Sequence, residues 1–392
     1  MAQISSNATA PTADSLPDNL NHLEFDDLPA FPENVPTAPL LRLSLKTLLA
    51  GDAGEEERLW KASRELGFFY LDLRGAGGPG SEDLGEVEVK DGGVDGDGLL
   101  KDADMLFKLG EQLFALPTEE KQKYDFKDQG SYFGYKGLGA GVLDAKGTKD
   151  RNEFYNVSKD DILGTGERLP APALLEAEDS RVCLASYIRR SHAIVSLILG
   201  RLEKALGLPA CTLRDLHRLQ GESGDQVRWV RAPPSSTPQS AQQQTLGEHT
   251  DFGSITILFN RLGGLQVLPP DVNGVPQQWC YVKPLRGHCV VNLGDAMVKF
   301  SAGVLRSNIH RVVAPPGEQE QLTRMSLVYF ARPEDKILLK ALEGSKIIDQ
   351  AKTTSGEDEE DISAKEWILR RALGRRTGGD WEKAGGTEGS RI

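Results

Sequence analysis

Two histidines and one aspartate in this chain are spaced to hold a single metal ion. His249-Thr250-Asp251 lies just before the strongly β-forming run Ser254-Ile255-Thr256-Ile257-Leu258-Phe259. On an extended segment residues i and i+2 project to one face, so the His249 imidazole and the Asp251 carboxylate can reach the same ion. His310 follows fifty-nine residues after Asp251, within Ser307-Asn308-Ile309-His310-Arg311-Val312. That separation suits a ligand on a different strand of the same barrel mouth. Two neutral imidazoles and one carboxylate are the donor set of an open Fe(II) site, with three positions left for dioxygen and an anionic chelator. Fourteen residues beyond His310, Arg324-Met325-Ser326 sets a guanidinium and a hydroxyl on one face of a strand. Such a pair can clamp a carboxylate by charge-assisted hydrogen bonds.

These residues need a rigid β-scaffold, and the second half of the chain supplies its pattern. Beyond Gly221, short β-branched and aromatic runs recur with turn residues between them: Val227–Arg231, Ser254–Phe259, Leu265–Leu268, Trp279–Val282, Cys289–Leu293, Ile309–Val313 and Arg324–Phe330. That spacing predicts a sandwich or barrel. Upstream, the pattern predicts an early strand at Pro39–Leu43, a helix over Glu55–Leu66 stopped by Gly67, and a buried strand Gly67–Leu73. Helices are expected over Asp104–Ala115 and, with a long apolar stripe, Pro172–Gly207. The fold class expected is mixed α and β, a double-sheet jelly roll preceded by helices. Residues 1–38 read as a disordered leader, 39–220 as the helical and strand region, 221–335 as the catalytic core, 336–373 as a helical extension and 374–392 as a disordered tail. Gly75–Gly98, rich in glycine and acids, and Asp349–Asp361 are expected to be loops. A helix is expected near Ser363–Arg371.

Composition limits the function. With 46 basic and 58 acidic residues the formal charge is −12, which argues against a nucleic-acid surface. The basic cluster Arg370, Arg371, Arg375 and Arg376 reads as the solvated face of a last helix. No apolar run approaches the ~20 residues of a membrane span, and Met1–Leu20 lacks the make-up of a secretory signal. Cys183, Cys211, Cys280 and Cys289 show no metal-binding spacing and read as reduced and mostly buried, with a cytoplasmic address; a Cys280–Cys289 disulfide is the alternative. His22, His192, His217 and His288 have no partner pattern. Tyr132, Phe133, Tyr135, Arg228, Trp229 and Phe330 are candidates for a substrate pocket, with core packing as the competing reading.

The order His-x-Asp, His310-Arg311-Val312, Arg324-x-Ser326, with Asn292-Leu293-Gly294-Asp295 between the ligands, resembles the isopenicillin N synthase-like Fe(II)/2-oxoglutarate dioxygenases. Gly67-Phe68-Phe69-Tyr70-Leu71 and Leu116-Pro117-Thr118-Glu119-Glu120-Lys121 also resemble that family, and the likeness spans roughly Leu41 to Pro333. It implies a double-stranded β-helix with iron on His249, Asp251 and His310 at its open end, and Arg324 and Ser326 on the distal carboxylate of 2-oxoglutarate. It also implies O2 as co-substrate and oxidation of a small organic molecule, natural-product tailoring among the outcomes, with no nucleic-acid or membrane partner. Two departures stand out. Ala232 occupies the place before a proline where the family often has a tyrosine, which removes one hydrogen bond to the co-substrate. The Gly75–Gly98 insertion replaces the family's usual His-Gly pair. An Fe(II) oxidase that does not use 2-oxoglutarate, and a non-catalytic binding protein on the same scaffold, are the rival readings. Substrate and oligomeric state are not encoded in these motifs.

Overall fold

The computed structural model describes residues 23–77, 93–143, 147–234, 244–270, 277–355 and 361–377. Its strands are, in chain order, β1 Leu41–Ser44, β2 Phe68–Asp72, β3 Gly134–Lys136, β4 Glu153–Ser158, β5 Gln226–Ala232 and β6 Gln244–His249. They continue with β7 Ile255–Asn260, β8 Leu265–Val267, β9 Cys280–Tyr281, β10 His288–Leu293, β11 His310–Val313 and β12 Arg324–Ala331. Eight of them form a large sheet in the order β1-β2-β10-β7-β12-β5-β4-β3, and four form a smaller one in the order β6-β11-β8-β9. The two sheets make the expected jelly roll. A cavity of about 180 Å³ is lined by residues of both sheets, among them His249, His310, Val230 and Ser326.

Local sequence explains how the large sheet is built. The helix Ala53–Glu65 is capped by the Asp52 carboxylate, which accepts from the Glu55 backbone N–H at 2.8 Å. Gly67 ends it at φ +69°, where a Cβ would lie 2.2 Å from the Arg306 carbonyl oxygen. Only glycine therefore lets the chain turn directly into β2. On the far side from the cavity, Gly96–Ala115 and Glu178–Ala205 pack together and against β12. Glu178–Ala205 is by length and mean hydropathy apolar enough to cross a membrane, but most of its apolar window is buried inside the fold, as in the core helix of a globular domain.

Several sequence expectations are corrected. Gly96–Ala115 begins eight residues before the predicted Asp104, inside the stretch assigned to a loop. Asp95 caps it, accepting from the Gly98 N–H at 2.8 Å, and two glycines in the first turn mask the helical pattern. Within that insertion, residues 78–92 lie outside the described residues. Residues 23–38, assigned to the leader, pack on the fold: Leu23, Phe31 and Ala38 are buried, and backbone hydrogen bonds join Pro36 and Ala38 to Tyr281 of β9. Their apolar residues are too widely spaced for any periodicity to show. The helix Lys346–Ser355 occupies half of the expected Asp349–Asp361 loop. The last helix runs Ala364–Thr377, four residues into the expected tail. All four cysteines are free thiols, and Cys280 and Cys289 sit in different sheets.

Two buried histidines tie the helical layer to the start of β7. His217 donates from Nδ1 to the Leu213 carbonyl at 2.7 Å and accepts from the Ser254 hydroxyl at Nε2, 2.6 Å; His192 Nε2 contacts the His217 carbonyl at 2.7 Å. Burial pushes the His217 pKa down to about 4. Because the unfolded chain takes up this proton first, near its ordinary value of about 6.5, stability falls as pH drops from there toward 4. The expected loss is about 2 kcal/mol by pH 5, read as a lower urea midpoint than at pH 7. A His217→Gln variant should flatten that interval; an unchanged wild-type midpoint between pH 7 and 5 would refute it.

Candidate metal centre and its cavity

His249 ends β6 and His310 begins β11, and the two are direct partners in the antiparallel register. The pairing brings the rings to 4.1 Å between centroids, tilted by 46°, so both imidazoles reach the same side of the small sheet. Each Nδ1 faces a backbone carbonyl two residues earlier: His249 to Gly247 at 2.8 Å, His310 to Asn308 at 3.2 Å. A ring nitrogen facing a carbonyl carries the proton, which makes each Nε2 the ring atom that would bind a metal. Asp251 is fixed in the same way from the large sheet. Its Oδ2 accepts from Thr256 Oγ1 at 2.6 Å and from Asn292 Nδ2 at 2.7 Å. Its Oδ1 is left 3.9 Å from His249 Nε2 and 3.8 Å from His310 Nε2. The three ligand atoms lie within 4.8 Å of one another, and bonds of roughly 2 Å bring such donors to one ion. The donor set fits Fe(II), and these hydrogen bonds already orient all three side chains.

The loop carrying Asp251 is braced from behind by the last helix, which the sequence reading missed. Arg371, expected on a solvated face, is fully buried and pairs with Asp295 at 3.0 Å. It also donates to Thr250 Oγ1 at 3.3 Å and stacks over Phe252 at 4.5 Å. Thr250 in turn donates to Asp295 at 3.1 Å, and the Asp295 N–H donates to the Asp251 carbonyl at 2.8 Å. Arg370 is exposed, as expected of a solvated face. The basic run hides Arg371 because one helical face of it turns inward. Arg371→Met should lower stability by about 3–5 kcal/mol, since it breaks a buried ion pair from one side. Pairing it with Asp295→Asn should restore part of the stability yet leave Co(II) affinity about 10–100-fold weaker than wild type. Thermal unfolding and equilibrium Co(II) titration read the two effects, and wild-type values for the single variant would show that the brace is idle.

Arg324 and Ser326 open β12 and face into the cavity. Arg324 Nε donates to the Gly263 carbonyl at 2.7 Å and Nη1 donates to Ser326 Oγ at 2.6 Å. The guanidinium makes no ion pair among the described residues, and burial alone pulls its pKa down to about 10. A buried cation with no acid beside it is costly unless a ligand supplies one. Gly264 makes the room, since a Cβ there would meet the Val313 carbonyl at 2.6 Å and Arg324 Nε at 3.2 Å. Ala232 is the direct register partner of Arg324 and lines the cavity, so the space of the family's tyrosine is open here.

On the other side of the cavity, strand alternation sorts the substrate candidates. Arg228, Val230 and Ala232 point inward, as do Tyr132 and Phe330. Trp229 points the opposite way: it is fully buried against Gly96–Ala115, and its indole donates to the Leu106 carbonyl at 2.7 Å. Tyr135 is likewise outside the cavity lining, its hydroxyl donating to Glu153 at 2.6 Å, while the adjacent Lys136 lines the cavity. Both are corrections that follow from a period of two along a strand. Phe133 does not line the cavity and packs on Tyr132 at 4.5 Å. Lys136, Asp150, Phe154 and Arg332 line it and were not singled out in the sequence. Strands β3 and β4, which carry Lys136 and Phe154, have too few alternating apolar residues to be read.

Comparison with known proteins matches this arrangement. Residues 224–333 match the 2OG-Fe(II) oxygenase superfamily, and residues 38–172 match the N-terminal domain described as non-haem dioxygenase in morphine synthesis. A 2-oxoglutarate-dependent dioxygenase of Aspergillus fumigatus is 32% identical over 344 residues, covering 83% of this chain and 84% of its own. Another from Glarea lozoyensis is 31% identical, covering 79% of this chain and 84% of its own. Among solved structures, a full-length Neurospora crassa protein in complex with alpha-KG and 5-formyluracil superposes with a TM-score of 0.65 at 21% identity, over 87% of this chain and 97% of its own. A 2OG-Fe(II) oxygenase family protein from Caulobacter crescentus gives 0.63 at 25% identity, over 86% and 98%.

Proposed function

This chain belongs to the 2-oxoglutarate-dependent Fe(II) dioxygenases, and from that premise we propose that it oxidises a C–H bond of a small organic metabolite. His249, Asp251 and His310 hold the iron, and Arg324 with Ser326 holds the far carboxylate of 2-oxoglutarate. The observation that carries this assignment is the conjunction in one cavity of three pre-oriented ligands and a buried guanidinium that has no ion pair among the described residues. Iron and 2-oxoglutarate together supply the activation of dioxygen, with succinate and carbon dioxide as co-products. The protein's part is positional. Thr256 and Asn292 keep one Asp251 oxygen turned to the ion, the paired β6 and β11 fix both imidazoles, and Arg324 sets which end of the co-substrate faces the iron. Asp251 fills the position that a halide would need, so hydroxylation or desaturation is favoured over halogenation. The excess of acidic residues favours a metabolite over a nucleic acid as substrate.

One observation favours a second reading. Ala232 stands opposite Arg324, so a hydrogen bond to the co-substrate is missing. An oxidase using the same iron with Arg324 gripping the substrate's own carboxylate would tolerate that gap. Succinate and oxidised product measured in the same reaction separate the two. Equal amounts are expected; product without succinate would replace the first reading by the second.

A further inference from the structure

We propose that the substrate carries a carboxylate, and that Arg332, with Arg228, receives it. The inference rests on the oxygenase reading above and adds the chemical class of the molecule oxidised. Arg332 follows directly on β12, lines the cavity and is 4% exposed. Its Nε is buried with no hydrogen-bond partner, and Nη1 donates to the Gly224 carbonyl. The acid beside its backbone, Asp225, spends its oxygens on the Tyr329 hydroxyl at 2.6 Å and on the Arg332 N–H at 2.7 Å. No carboxylate among the described residues pairs with the guanidinium. A desolvated cation left in that state is costly and is retained where a ligand completes it.

The other charges of the cavity wall have assigned partners. Lys136 pairs with Asp150, Glu248 pairs with Arg311 at 3.2 Å, Asp251 faces the metal position and Arg324 faces the co-substrate. On the substrate side, Arg228 and Arg332 both lie against the Phe330 ring, at 5.0 and 5.7 Å. Arg228 Nε also donates to the Asn156 side chain at 2.6 Å. Phe154 lies against Arg228 at 4.3 Å and Tyr132 against Arg332 at 5.3 Å. The rings hold both guanidinium planes in place, and a planar, fork-shaped donor matches a carboxylate better than any neutral group. In a chain of net charge −12, two cations gathered at one cavity also steer an anion inward.

The test uses the full-length protein loaded with Mn(II) and 2-oxoglutarate, so that Arg324 is already occupied. Butyrate, phenylacetate and benzoate are titrated calorimetrically, each beside its amide. At least one acid should bind tenfold or more tightly than its amide. Arg332→Leu should erase that preference, and Arg332→Lys should retain part of it. Thermal unfolding checks that the leucine variant is folded, with Arg332→Gln as the substitute if it is not. Acids binding no better than amides, or an undiminished preference in the folded variant, would overturn the proposal and leave the oxygenase reading intact. Wild-type protein that prefers the acids yet binds neither Fe(II) nor 2-oxoglutarate would overturn the oxygenase reading instead.

Discussion

Asp251→Ala is expected to lower turnover by at least about a thousandfold and to abolish stoichiometric iron binding, because the ion loses its only protein anion. The fold should survive. The side chain removed is a ligand at the cavity wall, and the residues behind it belong to paired strands β7 and β10. The cost is local: Thr256 Oγ1 and Asn292 Nδ2 lose their shared acceptor, worth about 1–3 kcal/mol for each buried donor left unmet. Thermal unfolding of the metal-free protein should therefore drop by a few degrees, while iron content falls from one per chain to background. His310→Ala should behave alike, with a smaller stability loss because its ring, among the described residues, hydrogen-bonds at Nδ1 to a local carbonyl alone. A variant that keeps both iron and turnover would remove the aspartate from the ligand set.

The second large effect concerns the co-substrate. Arg324→Leu should raise the 2-oxoglutarate concentration for half-maximal turnover on the order of a hundredfold or more, the cost of removing one member of a buried charge pair. Metal affinity should change little, since Arg324 touches neither a ligand nor the residues that orient one. Ser326→Ala should follow in the same direction by about tenfold, because its hydroxyl accepts from Arg324 and fixes the fork. The wall opposite Arg324 is Ala232, which carries no hydroxyl to compensate for these losses. An unchanged requirement in the leucine variant would show that another residue holds the distal carboxylate.

Chemistry was more legible in this sequence than architecture. His249 and Asp251 are two residues apart and His310 sits in a β-branched run, so their meeting needs only strand geometry and one barrel. The carboxylate clamp is readable for the same reason. The strand that bears His249 was not read, because Gly247 and Glu248 break the alternation that marks β6. Strands β3 and β4 were missed for a like reason, and with them Lys136 and Phe154. Within strands that were read, the choice of face was the weak step: Arg228 and Trp229 cannot both enter the cavity, and the indole goes outward to meet Leu106. Arg371 shows the limit of charge counting. Four arginines in seven residues look solvated, yet the one that meets Asp295 is interior. Such a pairing joins residues far apart in the chain, and no local pattern announces it.

The central claim is one iron and one 2-oxoglutarate sharing this cavity, and anaerobic equilibrium binding tests it most directly. Fe(II) and 2-oxoglutarate titrated together should each saturate at one per chain. A visible charge-transfer band should appear only when both are present and be absent from Asp251→Ala. Failure of the wild-type protein to take up iron, or 2-oxoglutarate binding that is indifferent to iron, would contradict the account.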